Sequence, residues 1–187
     1  MVLTDYLMKD TANLDNVNAA ELHEAEVWAG YIGGAATHIW TDSDWRRVSA
    51  FPKLPIYVTR PDRSGTYCGL EAIMAIYKLG IPGSTAVVAD LELLSSDIPL
   101  MGHWLTEFNQ VLHYFDYYVW KYGSTSYLFD IPPVDGSWVA TDSKVKEQFH
   151  HDGVHATQFL FEQKWDDSLI HRWSVHHRIS ENWKINN

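Results

Sequence analysis

One cysteine, Cys68, stands in 187 residues. A single thiol excludes an internal disulfide framework, and an isolated cysteine is more often a small buried hydrophobe than a nucleophile. Basic residues are few: 14 Lys and Arg against 24 Asp and Glu leave a net charge of −10. That balance argues against a nucleic-acid partner, whose phosphates need cations to neutralise them. Long apolar runs are missing too. No stretch reaches the roughly 20 residues of a membrane span, and Asp5, Lys9 and Asp10 interrupt the start of the chain where a signal peptide would carry its apolar segment. No G-x-G-x-x-G follows a strand-like run, and there is no Walker A, H-E-x-x-H or G-x-S-x-G pattern. Dinucleotide, nucleoside-triphosphate, zinc-protease and serine-hydrolase readings lose their usual sequence support.

Aromatic residues and histidines are plentiful. Nine Trp and ten Tyr suit a large core, and also flat surfaces on which sugar rings stack. Trp120, Trp138 and Trp165 are the candidates for stacking. Six of the ten histidines cluster late (His150, His151, His155, His171, His176, His177) without metal-ligand spacing, so surface or partner contacts are expected of them.

The length suggests one domain over residues 1–187. Apolar periodicity and turn residues place strands at Tyr6–Ala12, Val27–Ile32, Pro55–Thr59, Ala86–Ala89, Ser124–Phe129, Ser137–Ala140, Glu147–His151 and Ala156–Phe161. Helices are expected at Asn16–Glu26, from Thr41 to near Phe51, at Tyr67–Leu79 and at Leu100–Lys121. Trp165–Trp183 is ambiguous. Five alternations of strand and helix followed by three strands with few helices point to an incomplete TIM-like α/β barrel. An open doubly wound sheet is the runner-up.

Asp90 and Glu92 end the apolar run Ala86–Ala89. Residues two apart on a strand face the same side, and strand carboxyl ends form the active face of a parallel barrel. Acids at a strand end also cap a following helix, but the next helix begins near Pro99, so capping accounts for them poorly. Two neighbouring carboxylates can divide acid and base roles, as glycoside hydrolysis requires, or hold a divalent metal.

Several stretches carry a resemblance: "YIGG" (Tyr31–Gly34), "LPIYV" (Leu54–Val58), "GTYCGLEAIMAIYKLGIPGSTAVVADLE" (Gly65–Glu92), "YGSTSYLFD" (Tyr122–Asp130), "WVA" (Trp138–Ala140) and "ATQFLFEQ" (Ala156–Gln163). In this order they resemble the family 25 glycoside hydrolases, lysozymes that cut peptidoglycan. The likeness is closer to a related glycoside-hydrolase-like domain of unknown function from actinobacteria and their phages. The resemblance implies a barrel of five β/α units followed by three strands. It implies Glu92 as general acid and Asp90 as stabiliser of an oxocarbenium-like or oxazolinium state. Asp10, Tyr31, Tyr57, Tyr127, Trp138 and Gln158 would contact substrate, and no cofactor is needed. A further aspartate is expected after the last strand, at Asp166 or Asp167. The related domain usually carries Arg before its second-strand tyrosine; here Gly30 stands there.

The implied partner is peptidoglycan or another glycan, with no nucleic acid and no membrane. The alternative from a different class is a catalytically silent phage virion protein, a decoration or tail component, that binds surface glycans and contacts other virion proteins. Location in a phage virion, or in the host cytoplasm before release, fits either reading.

Overall fold

The computed structural model describes residues 6–94, 96–141, 154–161 and 165–171. Among them, eight strands close into a barrel in chain order. They are β1 (Tyr6–Asp10), β2 (Val27–Gly34), β3 (Lys53–Val58), β4 (Ala86–Asp90), β5 (Tyr118–Ser124), β6 (Gly136–Ala140), β7 (Ala156–Phe161) and β8 (Asp166–Ile170). Strands β1 to β7 run parallel. The last strand, β8, runs antiparallel to both β7 and β1 and shuts the ring. Helices α1 (Asp42–Arg47), α2 (Gly65–Leu79), α3 (Ile98–Tyr114) and α4 (Thr125–Leu128) follow β2, β3, β4 and β5. This is the incomplete α/β barrel that the alternation of elements implies.

Period-two patterning sorts each strand between two cores. Met8, Ala29, Ile56, Val88, Trp120 and Trp138 point into the barrel. Small residues on some strands leave room for large ones on others: Ala29, Ala86 and Ala156 share the interior with Trp120 and Trp138. An eight-stranded barrel is just wide enough for such side chains to fill. Trp28, Tyr57, Val87, Ala89 and Val119 point outward and pack under Ile73, Ile76, Leu105, Phe108 and Leu112 of α2 and α3. Burying each large side chain contributes about 1.5–3 kcal/mol before chain entropy is counted.

Polar contacts pin the loops. The buried Lys121 ammonium donates to the Leu128, Ile131 and Pro132 carbonyls at 2.8, 3.2 and 3.3 Å, closing the end of α4. Lys53 Nζ donates to the carbonyls of Ser49 and Phe51 at 3.4 and 3.0 Å. Burial pushes the Lys53 ammonium down to about 8.

Three local expectations are corrected, and a segment left ambiguous is placed. Asn16–Glu26 is two 3₁₀ turns, Leu14–Asn16 and Glu21–Glu24, because asparagines compete for the backbone. Asn13 Oδ1 accepts from Asp15 N–H at 3.0 Å, and Asn18 Oδ1 from Ala20 and Glu21 N–H at 2.9 and 3.1 Å. Helix α3 stops at Tyr114 rather than Lys121, where Asp116 turns the chain at φ 63°. The strand expected at Ser124–Phe129 is instead β5 at Tyr118–Ser124 followed by α4, whose N-cap is Ser124. The ambiguous segment after Trp165 supplies β8. The strand expected at Glu147–His151 and the pair His176-His177 lie outside the described residues.

Helices α2 and α3 touch through glycine. A Cβ on Gly65 would lie 1.9 Å from the Trp104 carbonyl oxygen, which is backbone and cannot swing away. Gly80 ends α2 at φ 64° with nothing within 4 Å of its would-be Cβ. Gly65→Ala should therefore cost about 2–3 kcal/mol by forcing the helices apart, and Gly80→Ala only about 1 kcal/mol of backbone strain. Equilibrium denaturation of the two variants, with unchanged slopes, checks the ranking.

Candidate functional site at the barrel mouth

Strand β4 delivers the central carboxylate. Its even positions Ala86, Val88 and Asp90 face the interior, and its odd positions Val87 and Ala89 face the helices. Asp90 is the last residue of the strand and is 7% exposed. Neighbouring strands grip the chain here: Thr59 N–H donates to the Asp90 carbonyl at 3.0 Å, and Leu91 N–H to the Tyr122 carbonyl at 3.1 Å.

Glu92 does not continue the strand, as the sequence reading has it. It opens a 3₁₀ turn, Glu92–Leu94, whose flanking Leu91 and Leu94 are buried as anchors. Glu92 is left exposed, and its N–H donates to Asp90 Oδ1 at 3.1 Å. Both carboxyl groups still line one cavity.

That cavity, of about 180 Å³, is bounded by Asp10, Tyr31, Ile56, Asp90, Glu92, Tyr122, Trp138 and Asp166. A second hollow of about 210 Å³ shares Tyr31, Asp90 and Glu92 with it. Its other walls are mostly small and apolar, including Ala12, Ala35, Ala36, Val58 and Leu93, with Thr37 and His38 as polar members. The two acids thus stand on the boundary between a polar chamber in the barrel and an apolar hollow beside it.

Barrel closure brings two more acids. Asp10 ends β1 and pairs in register with Asp166, the first residue of β8. Of the two aspartates left open by the sequence, Asp166 lines the cavity. Asp167 points the other way, 3.4 Å from Lys9 Nζ. Asp10 Oδ2 is buried with no hydrogen-bond partner among the described residues.

Crowding out of water shifts Asp10, Asp90 and Glu92 in one direction. Burial, then the nearby charges of Asp166, Asp90, Asp167 and Glu92, hold the Asp10 carboxyl well above the usual range. Burial lifts Asp90 to about 7; the Glu92 N–H opposes that shift and the Glu92 charge adds to it. Burial also raises Glu92. Tyr31 and Tyr122 are pushed up by burial and then by the same carboxylates, so both hydroxyls stay protonated donors. A set of this kind can give a proton and stabilise a developing cation. Among the described residues, no three His, Cys, Asp or Glu side chains are grouped to hold a metal ion.

The other expected contacts divide. Tyr31 and Trp138 line the cavity, and Trp138 Nε1–H donates to Ser168 Oγ at 3.1 Å. Gln158 sits beneath it, accepting from the Tyr122 hydroxyl at 2.5 Å. Tyr57 is a correction: it faces the helices, donates to Glu71 and packs on Phe108, while its neighbour Ile56 faces the cavity. Tyr127 is another: it lies on α4 in the outer core, against Gly123. The aromatic at that wall is Tyr122. The period-two pair Trp120 and Tyr122 signals it, but extending α3 to Lys121 conceals the pattern.

Trp120 is sealed in the barrel at 1% exposure, against His155, so it cannot stack on a sugar. Trp165 is half-buried under Lys9 Nζ, 4.0 Å from the ring centroid. At Gly30, Trp40 fills the space that a side chain would need. A Cβ there would be 2.4 Å from the Trp40 ring, whose Nε1–H donates to the Thr11 carbonyl at 2.9 Å.

No protein-family model matches the chain, and no curated protein matches it by sequence. Solved structures do match in fold. A family 25 glycosyl hydrolase from Bacillus anthracis superposes with TM-score 0.71 at 10% identity, over 96% of this chain and 95% of that one. The modular autolysin LytC from Streptococcus pneumoniae, solved with a synthetic peptidoglycan ligand, gives 0.65 at 12% identity, over 89% of this chain and 46% of that one. The pneumococcal cell wall endolysin from phage Cp-1, complexed with choline, gives 0.63 at 13% identity, over 90% of this chain and 55% of that one. This chain thus spans about half the length of the latter two. At such identities the likeness establishes a family 25-like barrel.

The raised Asp90 carboxyl makes a stability prediction. Its folded value, about 7, exceeds the ordinary 3.8, so the folded chain binds more protons between those limits. Stability therefore falls as pH rises through that window. Asp90→Asn, which keeps an oxygen for the Glu92 N–H, should be more stable than the parent at pH 7.5. The gain is up to about 4 kcal/mol and should vanish near pH 4. Denaturant titrations at the two pH values check this.

Proposed function

We propose that the chain is a lysozyme-type glycoside hydrolase acting on peptidoglycan or a related N-acetylhexosamine polymer. The observation that carries this reading is the meeting of Asp90 and Glu92, with Asp10 and Asp166, in one desolvated cleft at the barrel mouth. The fold shared with a family 25 glycosyl hydrolase and with an autolysin solved with a peptidoglycan ligand supports it.

Glu92 acts as proton donor. It is the more exposed member of the pair, the partial desolvation it meets at the cavity favours its protonated form, and it stands where the two hollows meet. One hollow takes the sugar whose carbon becomes cationic, the other the departing sugar. Asp90 faces the developing charge. Burial disfavours its anion in the empty cleft, and a positive sugar carbon favours it. Their attraction is thus strongest in the transition state, which is where binding accelerates a reaction. Tyr31 forms a ring wall, and Trp138 and Asp10, both buried, back the cavity. The chain meets its glycan on delivery in a phage particle or on release from a host cytoplasm.

Replacing Glu92 by Gln should lower clearing of purified cell walls by about a thousand-fold, with the circular dichroism spectrum unchanged. Equal clearing by the variant would remove Glu92 from the mechanism. A parent chain that sediments with walls without releasing sugar would instead be the silent glycan-binding virion module.

A further inference from the structure

Helix α2 buries one side only. Gly65, Cys68, Gly69, Ala72, Ile73 and Ile76 face the barrel and α3. On the other side Tyr67, Leu70, Met74 and Tyr77 are 46, 48, 73 and 60% exposed. Their spacing of three, four and three residues is the alternation by which one helix seats against another. Thr66 and Lys78 are the remaining exposed positions of α2, and the Glu71 carboxylate beside the stripe, its side chain 38% exposed, is paired with Arg60 at 3.7 Å. The patch continues onto the end of α3. The Tyr77 ring meets Phe115 edge-on at 6.2 Å, and Phe115 meets Tyr114, 84% exposed, at 5.1 Å. Scattered exposed apolar residues are ordinary, but a contiguous stripe marks a contact surface.

We propose that this face is the contact between two copies of the chain, with their α2 helices packed antiparallel across a two-fold axis. The stripe is self-complementary. Reversing it on itself sets Tyr67 against Tyr77 and Leu70 against Met74, as an isologous interface requires. The area suffices for a core. A fully buried aromatic carries about 150–250 Å², so three exposed tyrosine rings with Leu70, Met74 and the partly buried Phe115 offer on the order of 500 Å². A standard interface takes about 800 Å² from each partner, leaving the remainder to a polar rim. Because α2 runs away from the barrel mouth, antiparallel pairing turns the two clefts in opposite directions and covers neither.

Sedimentation of the whole chain between about 1 and about 100 µM tests this. The expected mass is twice 21.5 kDa. Met74→Glu should weaken association at least thirty-fold, roughly the loss of one interface hot spot, with an unchanged melting midpoint. Leu70→Cys combined with Met74→Cys should give a disulfide-linked dimer under mild oxidation, since Cys68 is buried and does not compete. A single-chain mass at the highest concentration overturns the proposal. So does a dimer indifferent to Met74→Glu.

Discussion

The site depends on one pairing, the antiparallel seam of β1 with β8. Parallel strands alone bring Asp90 to the mouth, but closure of the ring carries Asp166 back opposite Asp10. With that seam in place, Asp10, Asp90, Glu92 and Asp166 line one small cavity in which Asp10 and Asp90 are buried and Glu92 reaches solvent. The proton affinity of the group follows from this crowding, because burial is the leading cause of each resolved shift.

Such crowding is costly to the fold. An acid held above its ordinary range weakens the folded state at neutral pH. The barrel offsets the cost with two packed layers. Trp120 and Trp138 fill the interior against alanines on other strands, and the outer strand faces lie under α2 and α3. Stability and chemistry are thus drawn from different parts of one shell.

The sequence made the barrel legible because period-two runs and glycine-bounded helices recur through β5. It made Asp90 and Glu92 legible for the same reason: an apolar run that ends in acids has few structural explanations. Side-chain direction was harder. Tyr57 and Ile56 differ by one residue and face opposite sides, and nothing in "LPIYV" fixes which is inward when all are buried. Tyr122 was hidden because aromatic helix and aromatic strand look alike across Leu112–Lys121; Asp116, at φ 63°, makes the break. Asp166 against Asp167 needed the register of β8, a long-range fact that no local pattern holds. On α2 only packing shows that Ile73 faces the barrel while Leu70, Met74 and Tyr77 face out.

The claim underneath all of this is that the barrel mouth desolvates Asp90. Carbon-13 NMR of the Asp90 carboxyl, followed through a pH titration of the full chain, measures it directly. A midpoint near 7 is the result required. A midpoint near 4, the value of a carboxylate in water, would mean that the acids do not share a closed space.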